Sequence, residues 1–228
     1  ITLHPRTTKQ LFTGQSDWHL IKELKAALKI PVIGNGDVKT PERVREVKEQ
    51  YNVDQTTFLD ENLMTMDVFS RRIWMKEICK LWKEAGLVPK KEKDGSWKEG
   101  MFWSGTSHAT LCNPDILKMM AEHGCTHLVY GYEHFDDRIL KTMGKGSTKK
   151  TNLRSFFWTL EAGIRPIPNQ IIGFPNDDFD SLRMQMKAWD DLGIQVLPHF
   201  ATAYPGSEWF TVYRKEIEKQ YDGQGKKF

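Results

Sequence analysis

The feature that most constrains this chain is a recurring punctuation. Five times a charged, amphipathic stretch ends in a residue that tolerates left-handed backbone, and an apolar, strand-like run follows within a few residues. The punctuating residues are Asn52, Gly86, Gly124, Gly163 and Gly193. Asn or Gly just past a helix lets the last carbonyls find partners without a Cβ clash. The runs that follow are residues 55–59, 101–103, 126–130, 168–174 and 194–200, and two earlier runs, 1–4 and 31–34, bring the expected strands to seven. Helix starts are marked too: Thr40 precedes Pro41 and Asn113 precedes Pro114, each an N-cap candidate before a proline at the first helical position.

The alternation is βα, many times over. Strands joined through helices return to the same edge, so they run parallel with right-handed crossovers. The predicted fold class is α/β: a partial or complete parallel (β/α) barrel of about seven βα units. A doubly wound open sheet would produce the same rhythm. Residues 1–4 read as the end of a strand, so the chain is expected to begin inside a larger domain. An open barrel edge would then invite homo-oligomer formation.

Bulk properties exclude several classes. At 228 residues, 39% hydrophobic and 28% charged, the chain has an ordinary globular composition. Its apolar runs, such as 30–33, fall far short of the ~20 residues that span a bilayer, so no membrane association is expected. A net charge of +3 is too small to argue for nucleic acid. The Lys-rich stretches 89–98 and 141–150 carry Gly and Ser, and the first also Glu92 and Asp94, and both read as solvated loops, with RNA contact the minority reading. Cys79, Cys112 and Cys125 are too few and scattered for a disulfide framework, and no signal peptide precedes them, so a cytoplasmic location is expected.

In parallel βα folds the functional face lies at the carboxyl ends of the strands. The residues at which each apolar run turns polar are His4 and Arg6, Asn35 and Asp37, Asp60, Glu61 and Asn62, Ser107 and His108, Glu133 and His134, Asn176, His199 and Thr202. Helix capping is the plainer account of the Asn, Asp, Ser and Thr among them. It does not account for Glu61 or Glu133. A glutamate there needs a partner, either a ligand amine or ribose hydroxyl or a neighbouring Lys or Arg. His108, Cys112, Glu133, His134 and His199 lack metal-ligand spacing, and no metal site is predicted. Cys125 reads as a small buried hydrophobe. Phe156, Phe157 and Trp158, and Trp74, Trp82 and Trp189, read as helix-to-sheet packing.

Over residues 41–210 the chain resembles radical S-adenosylmethionine enzymes, particularly those with an upstream cobalamin-binding domain. The resemblance is carried by Phe58-Leu59-Asp60-Glu61-Asn62, Ser107-His108-Ala109-Thr110, Tyr130-Gly131-Tyr132-Glu133, Ile171-Ile172-Gly173-Phe174-Pro175 and Tyr204-Pro205-Gly206-Ser207, in order, with Lys141-Thr142-Met143-Gly144-Lys145-Gly146 after Glu133. In that family the mouth of a partial barrel holds the small-molecule cosubstrate against a [4Fe-4S] cluster, which cleaves it to a 5′-deoxyadenosyl radical. The resemblance implies that Asp60 and Glu61 lie near the methionyl amino group and Glu133 near the ribose or amino group, and that Gly173 and Pro175 admit the adenine. Ser107 joins them as a cofactor-binding candidate. The family holds its cluster with Cys-x-x-x-Cys-x-x-Cys, which these 228 residues do not contain. Binding without radical generation is therefore expected.

Residues 1–40 resemble tRNA-dihydrouridine synthases, flavoenzymes on a (βα)8 barrel. His4-Pro5-Arg6-Thr7, Gly14 with Asp17-Trp18, and Ile30-Pro31-Val32-Ile33-Gly34-Asn35-Gly36-Asp37 carry this resemblance. It implies that His4, Asn35 and Gly36 lie near FMN. That family's catalytic cysteine and flavin-side lysine lie upstream of the matching region. The expected organisation is thus a chimera or joined fragment: 1–40 of dihydrouridine synthase type, 41–210 of radical type, and 211–228 a helix with a frayed, Gly-rich and basic tail. The join is expected between residues 37 and 45. The alternatives are a catalytically inert chimeric scaffold in which the strand-end polar residues serve only as caps and salt bridges, and an FMN-binding fragment of dihydrouridine-synthase type.

Overall fold

The structure is a computed structural model that describes residues 1–11, 13–53, 55–59, 62–174, 177–194, 196, 198–215 and 217–218. Asp60, Glu61, Pro175 and Asn176, and the tail 221–228, lie outside the described residues.

The elements follow in chain order: β1 Thr2–Leu3, α1 Trp18–Ala27, β2 Ile33–Gly34, α2 Pro41–Tyr51, β3 Gln55–Thr57, α3 Leu63–Phe69, α4 Trp74–Glu84, β4 Lys90–Lys91, β5 Trp97–Lys98, β6 Phe102–Ser107, α5 Pro114–Glu122, β7 Cys125–Glu133, α6 Asp137–Thr142, α7 Lys149–Glu161, β8 Arg165–Ile172, α8 Phe179–Asp191, β9 His199–Phe200 and α9 Glu208–Val212. All seven expected runs contain a strand. Thr40 accepts from the Arg43 N–H and Asn113 from the Ile116 N–H, so both expected N-caps form, each with its proline in the first turn. Asn52 ends α2 in left-handed backbone at φ 52°.

Two differences from the sequence expectation concern pairing. The strands form a five-stranded sheet in the order β3-β6-β7-β8-β9, with β1 and β2 paired as a separate parallel two-stranded sheet. The pairs β3/β6, β6/β7 and β8/β9 are parallel, and β3 and β9 are the edges of the larger sheet. Stretch 89–98 is also no simple loop: it contains the antiparallel hairpin β4/β5. Its turn is closed by Asp94, whose carboxylate accepts from Ser96 N and Oγ at 2.9 and 2.6 Å, with Gly95 in left-handed backbone.

The chain divides into two compact units. The first comprises Ile1–Tyr130 and Arg154–Ile167; the second comprises Gly131–Leu153 and Pro168–Phe228.

In the first unit, Trp18 and Ile21 of α1 and Val47 of α2 form a buried cluster, with Leu3, Val32, Val38, Tyr51 and Val53 packed against it. The Trp18 and Tyr51 rings lie 5.5 Å apart. Residues on both sides of the expected join therefore share one small core. A larger core surrounds β6, where Trp103, Leu63, Met75, Leu117, Leu128 and Tyr130 are almost fully buried. Each such side chain contributes about 1.5–3 kcal/mol by leaving water. Trp82 and Phe156 are buried as well, in line with packing roles, and so is Cys125.

In the second unit, Tyr132, Phe135, Ile139, Leu140 and Trp189 form the core. Trp189 of α8 stacks on Tyr132 at 5.8 Å between centroids and meets Phe135 at 4.7 Å. Asn152, fully buried in α7, donates from Nδ2 to the carbonyls of Tyr132 and His134 at 2.9 and 3.3 Å. These bonds hold the carboxyl end of β7, where the candidate chemistry begins. Among the described residues, no helix is long and apolar enough to cross a membrane.

Candidate functional site

The second unit presents two features at strand ends. The first is Glu133, the last residue of β7. Its backbone is left-handed at φ 60°, a conformation that costs a non-glycine residue on the order of 1–3 kcal/mol and persists only where surroundings enforce it. Asn152 holds the carbonyls on either side of it, and Lys145 meets its side chain: the lysine Nζ lies 2.8 Å from Glu133 Oε1, with the lysine side chain 24% and the glutamate side chain 13% exposed. The pair folds back over Gly131. A Cβ at Gly131 would stand 2.5 Å from Glu133 Oε1 and 2.7 Å from Lys145 Nζ, so the missing side chain makes room for both charges.

The second feature is a cleft of about 260 Å³ at the carboxyl ends of β8 and β9, lined by Ile171, Phe174, His199, Phe200, Ala201, Thr202, Tyr204 and Trp209. Phe174 and Trp209 form an aromatic wall, 4.1 Å between centroids. Gly173 precedes that wall in left-handed backbone at φ 80°, with open space where a Cβ would stand. Its N–H donates to Asp177 Oδ2 at 2.9 Å. The volume sits just under the ~300–1,000 Å³ typical of small-molecule sites, which suits one planar part of a larger ligand.

Behind the Gly173 turn lies His134, fully buried, with Nε2 3.4 Å from Asp177 Oδ1. At that separation the contact is electrostatic, and Nε2 meets no aligned hydrogen-bond acceptor. The imidazole Nδ1 accepts from the Asp136 N–H at 2.8 Å. Burial lowers the His134 pKa from its ordinary value, against the opposing attraction of Asp177 and Asp136.

In the first unit, His4 lies beside the Asn35-Gly36 turn. The Asn35 N–H donates to the Leu3 carbonyl at 3.0 Å. A Cβ on Gly36 would meet Ser16 Oγ at 2.8 Å and His4 Nε2 at 3.4 Å. The Gly36 carbonyl accepts from Trp18 Nε1 at 2.8 Å. Beside it, Asp37 accepts from Arg6 Nη2 at 2.6 Å and from Ser16 N and Oγ at 2.6 and 2.8 Å. These bonds, led by the Ser16 backbone N–H, hold the Asp37 pKa down at about 2. The space on the Cβ side of Gly36 is thus filled by the protein's own side chains. Arg6 and Asp37 act here as a structural clamp.

Ser107 ends β6, also in the first unit. It is buried, and its Oγ has no hydrogen-bond partner among the described residues. Asp60, Glu61 and Pro175, named by the sequence as site residues, lie outside the described residues. Lys145, Asp177 and the Trp209 wall are what the sequence did not identify as parts of a site, and His134 was named as a strand-end residue without its partner. The Lys145 stretch had been noted only as part of a motif.

The donor set for an iron-sulfur cluster does not fit. Cys79, Cys112 and Cys125 are all buried. Burial pushes the Cys79 thiol up to about 12, Cys112 to about 11, and Cys125 higher still. Ligation requires thiolates on an accessible loop, and these are packing residues. Among the described residues no group of three or more His, Cys, Asp or Glu is placed to hold a metal ion.

A family model described as dihydrouridine synthase matches residues 1–63. The probable tRNA-dihydrouridine synthase of Rickettsia bellii is 43% identical over 54 residues, 24% of this chain and 17% of that protein. An uncharacterised methyltransferase, PH0819, of Pyrococcus horikoshii is 29% identical over 106 residues, 46% of this chain and 23% of that protein. The chain thus spans a quarter or less of the length of these two relatives. Among solved structures, the radical S-adenosylmethionine methyltransferase TsrM of Kitasatospora setae, determined with cobalamin and a [4Fe-4S] cluster, superposes with a TM-score of 0.53 at 14% identity, over 70% of this chain and 29% of that one. In fold the chain is therefore a partial parallel (β/α) barrel like that of radical S-adenosylmethionine enzymes, and a short segment of it is similar in sequence to tRNA-dihydrouridine synthases.

Proposed function

We propose that this chain carries the S-adenosylmethionine-binding part of a radical-type barrel, joined to a βα segment of dihydrouridine-synthase type, and that these 228 residues bind the cosubstrate without cleaving it. The Glu133–Lys145 pair is the observation that carries this reading. The methionyl end of S-adenosylmethionine is a zwitterion, and a partly buried carboxylate–ammonium pair complements it by exchange: the ligand ammonium replaces Lys145 at Glu133 while the ligand carboxylate takes Lys145. The strained backbone of Glu133 at a parallel strand's carboxyl end points the same way, since strain of this kind collects at ligand sites. The cleft beyond Gly173, with its aromatic wall, suits the adenine. Ser107, with its buried and unpartnered hydroxyl, is a further binding candidate in the first unit.

S-adenosylmethionine supplies a cleavable sulfonium when a reduced cluster stands beside it. The residues of this chain bind and orient; its buried thiols offer no ligation, so cleavage is absent. We further propose that the dihydrouridine-synthase-like piece runs past the expected join, because Val47, Tyr51 and Val53 pack into the same cluster as Trp18 and Ile21.

Calorimetric titration with S-adenosylmethionine tests the reading. Saturable binding by the full chain, lost in Glu133→Gln, is the expected result. Equal binding by both proteins, or none by either, rejects it. If a longer chain bearing the cysteine triplet cleaves the cosubstrate, the binding role proposed here becomes part of a working enzyme.

A further inference from the structure

Three elements of the second unit meet at one buried carboxylate. Asp177 Oδ2 accepts the Gly173 N–H at 2.9 Å, at the turn that leads into the cleft wall. Asp177 Oδ1 accepts from the Ser181 hydroxyl in the first turn of α8. The third contact is His134 Nε2, one residue past the end of β7, at 3.4 Å. The side chains of His134 and Asp177 are 0% and 5% exposed. A carboxylate that buried needs compensation, and two neutral donors with one imidazole supply it.

The tautomer of His134 follows from its other contact. Nδ1 accepts from the Asp136 N–H at 2.8 Å, so in the neutral ring the proton sits on Nε2 and faces Asp177. Protonating the ring would put a hydrogen on Nδ1, directly against the Asp136 N–H. That bond, just ahead of the N-terminus of α6, would be lost. The charged groups facing His134 are Asp177, ahead of α8, and Asp136, ahead of α6. Both favour the imidazolium, yet burial outweighs them and keeps the ring neutral.

We propose that Asp177 and His134 are positioning residues for the cleft, a buried carboxylate–imidazole pair that holds the Gly173 N–H, and with it the Phe174 wall, in the form that receives ligand. The pair touches no ligand itself. Its other consequence is a low-pH limit: once His134 takes a proton, the Asp136 bond breaks and the imidazolium draws the Asp177 carboxylate away from the Gly173 N–H. The proposal rests on the cosubstrate reading only for the identity of what the cleft binds.

Amide exchange at Gly173 in the full chain, corrected for the intrinsic pH dependence of exchange, tests this across about pH 5 to 8. Asp177→Ala is expected to speed exchange at Gly173 by about tenfold, the loss of one hydrogen bond to a charged acceptor. Asp177→Asn, which keeps an acceptor oxygen, is expected to retain part of the protection. In the unsubstituted protein protection falls as His134 protonates, and His134→Gln, which still offers a donor but cannot titrate, is expected to remove that pH dependence while keeping the protection at neutral pH. If Asp177→Ala does not fold, the comparison with His134→Gln decides alone. Unchanged Gly173 exchange in Asp177→Ala, or one shared pH profile for the unsubstituted and His134→Gln proteins, overturns the proposal. Gly173 protection that follows Asp177 but is insensitive to added S-adenosylmethionine would support the pair as positioning residues and count against the cosubstrate reading.

Discussion

The carboxylate of Glu133 and the ammonium of Lys145 are held 2.8 Å apart over the bare α-carbon of Gly131. The two charges are twelve residues apart in the chain, and the glycine two residues before the end of β7 is what lets them meet there. The arrangement makes the charged pair, the glycine and the left-handed glutamate a single unit whose parts can be altered one at a time.

Gly131→Ala separates binding from stability. The added methyl meets only the far ends of two flexible side chains, so the fold gives by small shifts and the loss of stability is expected to stay under about 1.5 kcal/mol. The pair itself must move. S-adenosylmethionine affinity is expected to fall at least tenfold in titration calorimetry, while the urea midpoint changes little.

Acid sensitivity of the first unit is expected to trace to Asp37. Its pKa is lowered from 3.8 to about 2 in the folded protein, first by the Ser16 N–H. A depressed carboxylate contributes stability that is fully present above its unfolded value and is lost as pH falls through the folded one. The window is therefore about pH 4 down to 2. In Asp37→Asn, unfolding followed by tryptophan fluorescence is expected to lack the part of the acid dependence that lies in this window. An identical profile in both proteins would remove the clamp from the account.

Asp67 is a buried acid that serves structure. Its side chain is fully buried, accepts from Arg72 Nη1 at 2.8 Å and also accepts from the Met75 N–H at 3.2 Å. Removing the cation by Arg72→Met strands the carboxylate at a cost of roughly 3–5 kcal/mol. A chemical melt that moves by less than about 1 kcal/mol would show that solvent already compensates Asp67.

The three thiols are expected to be inert. With Cys79 pushed to about 12, Cys112 to about 11 and Cys125 above both by burial, none is ionised near neutral pH. A thiol-reactive dye at pH 8 is expected to label the native chain far more slowly than the chain in denaturant, and anaerobic reconstitution with iron and sulfide is expected to leave no cluster absorption. Rapid labelling, or a stable brown holoprotein, would contradict the packing role assigned here.

Much of the fold was legible because its signals are local. Asn52 and the glycines after each helix, with Thr40–Pro41 and Asn113–Pro114 at helix starts, located five of the parallel strands within a few residues, and two apolar runs nearer the start located the others. The hairpin β4/β5 was legible as well, since Asp94-Gly95 is a turn signal, but the surrounding lysines masked it as a solvated loop. What the sequence did not disclose is pairing at long range. Nothing local says that β1 and β2 pair apart from the five-stranded sheet. The same holds within the site. Glu133 stood out as a strand-end acid in need of a partner, yet whether that partner was a ligand or a neighbouring cation required Lys145 to be placed. His134 and Asp177 lie 43 residues apart, as their numbers give directly, and meet only once β7 and α8 are packed. The turn at Gly36 shows the same. His4, Asn35 and Gly36 were named from the sequence, but the closing of Ser16 and Trp18 on Gly36 was not.

The central claim is that the second unit binds S-adenosylmethionine. A thermal melt of the purified chain with and without the cosubstrate tests it most directly. At ~100 times its dissociation constant a ligand adds roughly 2.7 kcal/mol to the folded state, which for a chain of this size corresponds to roughly 5–10 °C in Tm. The account predicts an upward shift of that order for the unsubstituted protein and none for Glu133→Gln. A sharp, cooperative melt that does not move with the cosubstrate would contradict it and leave a folded scaffold whose strand-end charges serve only one another.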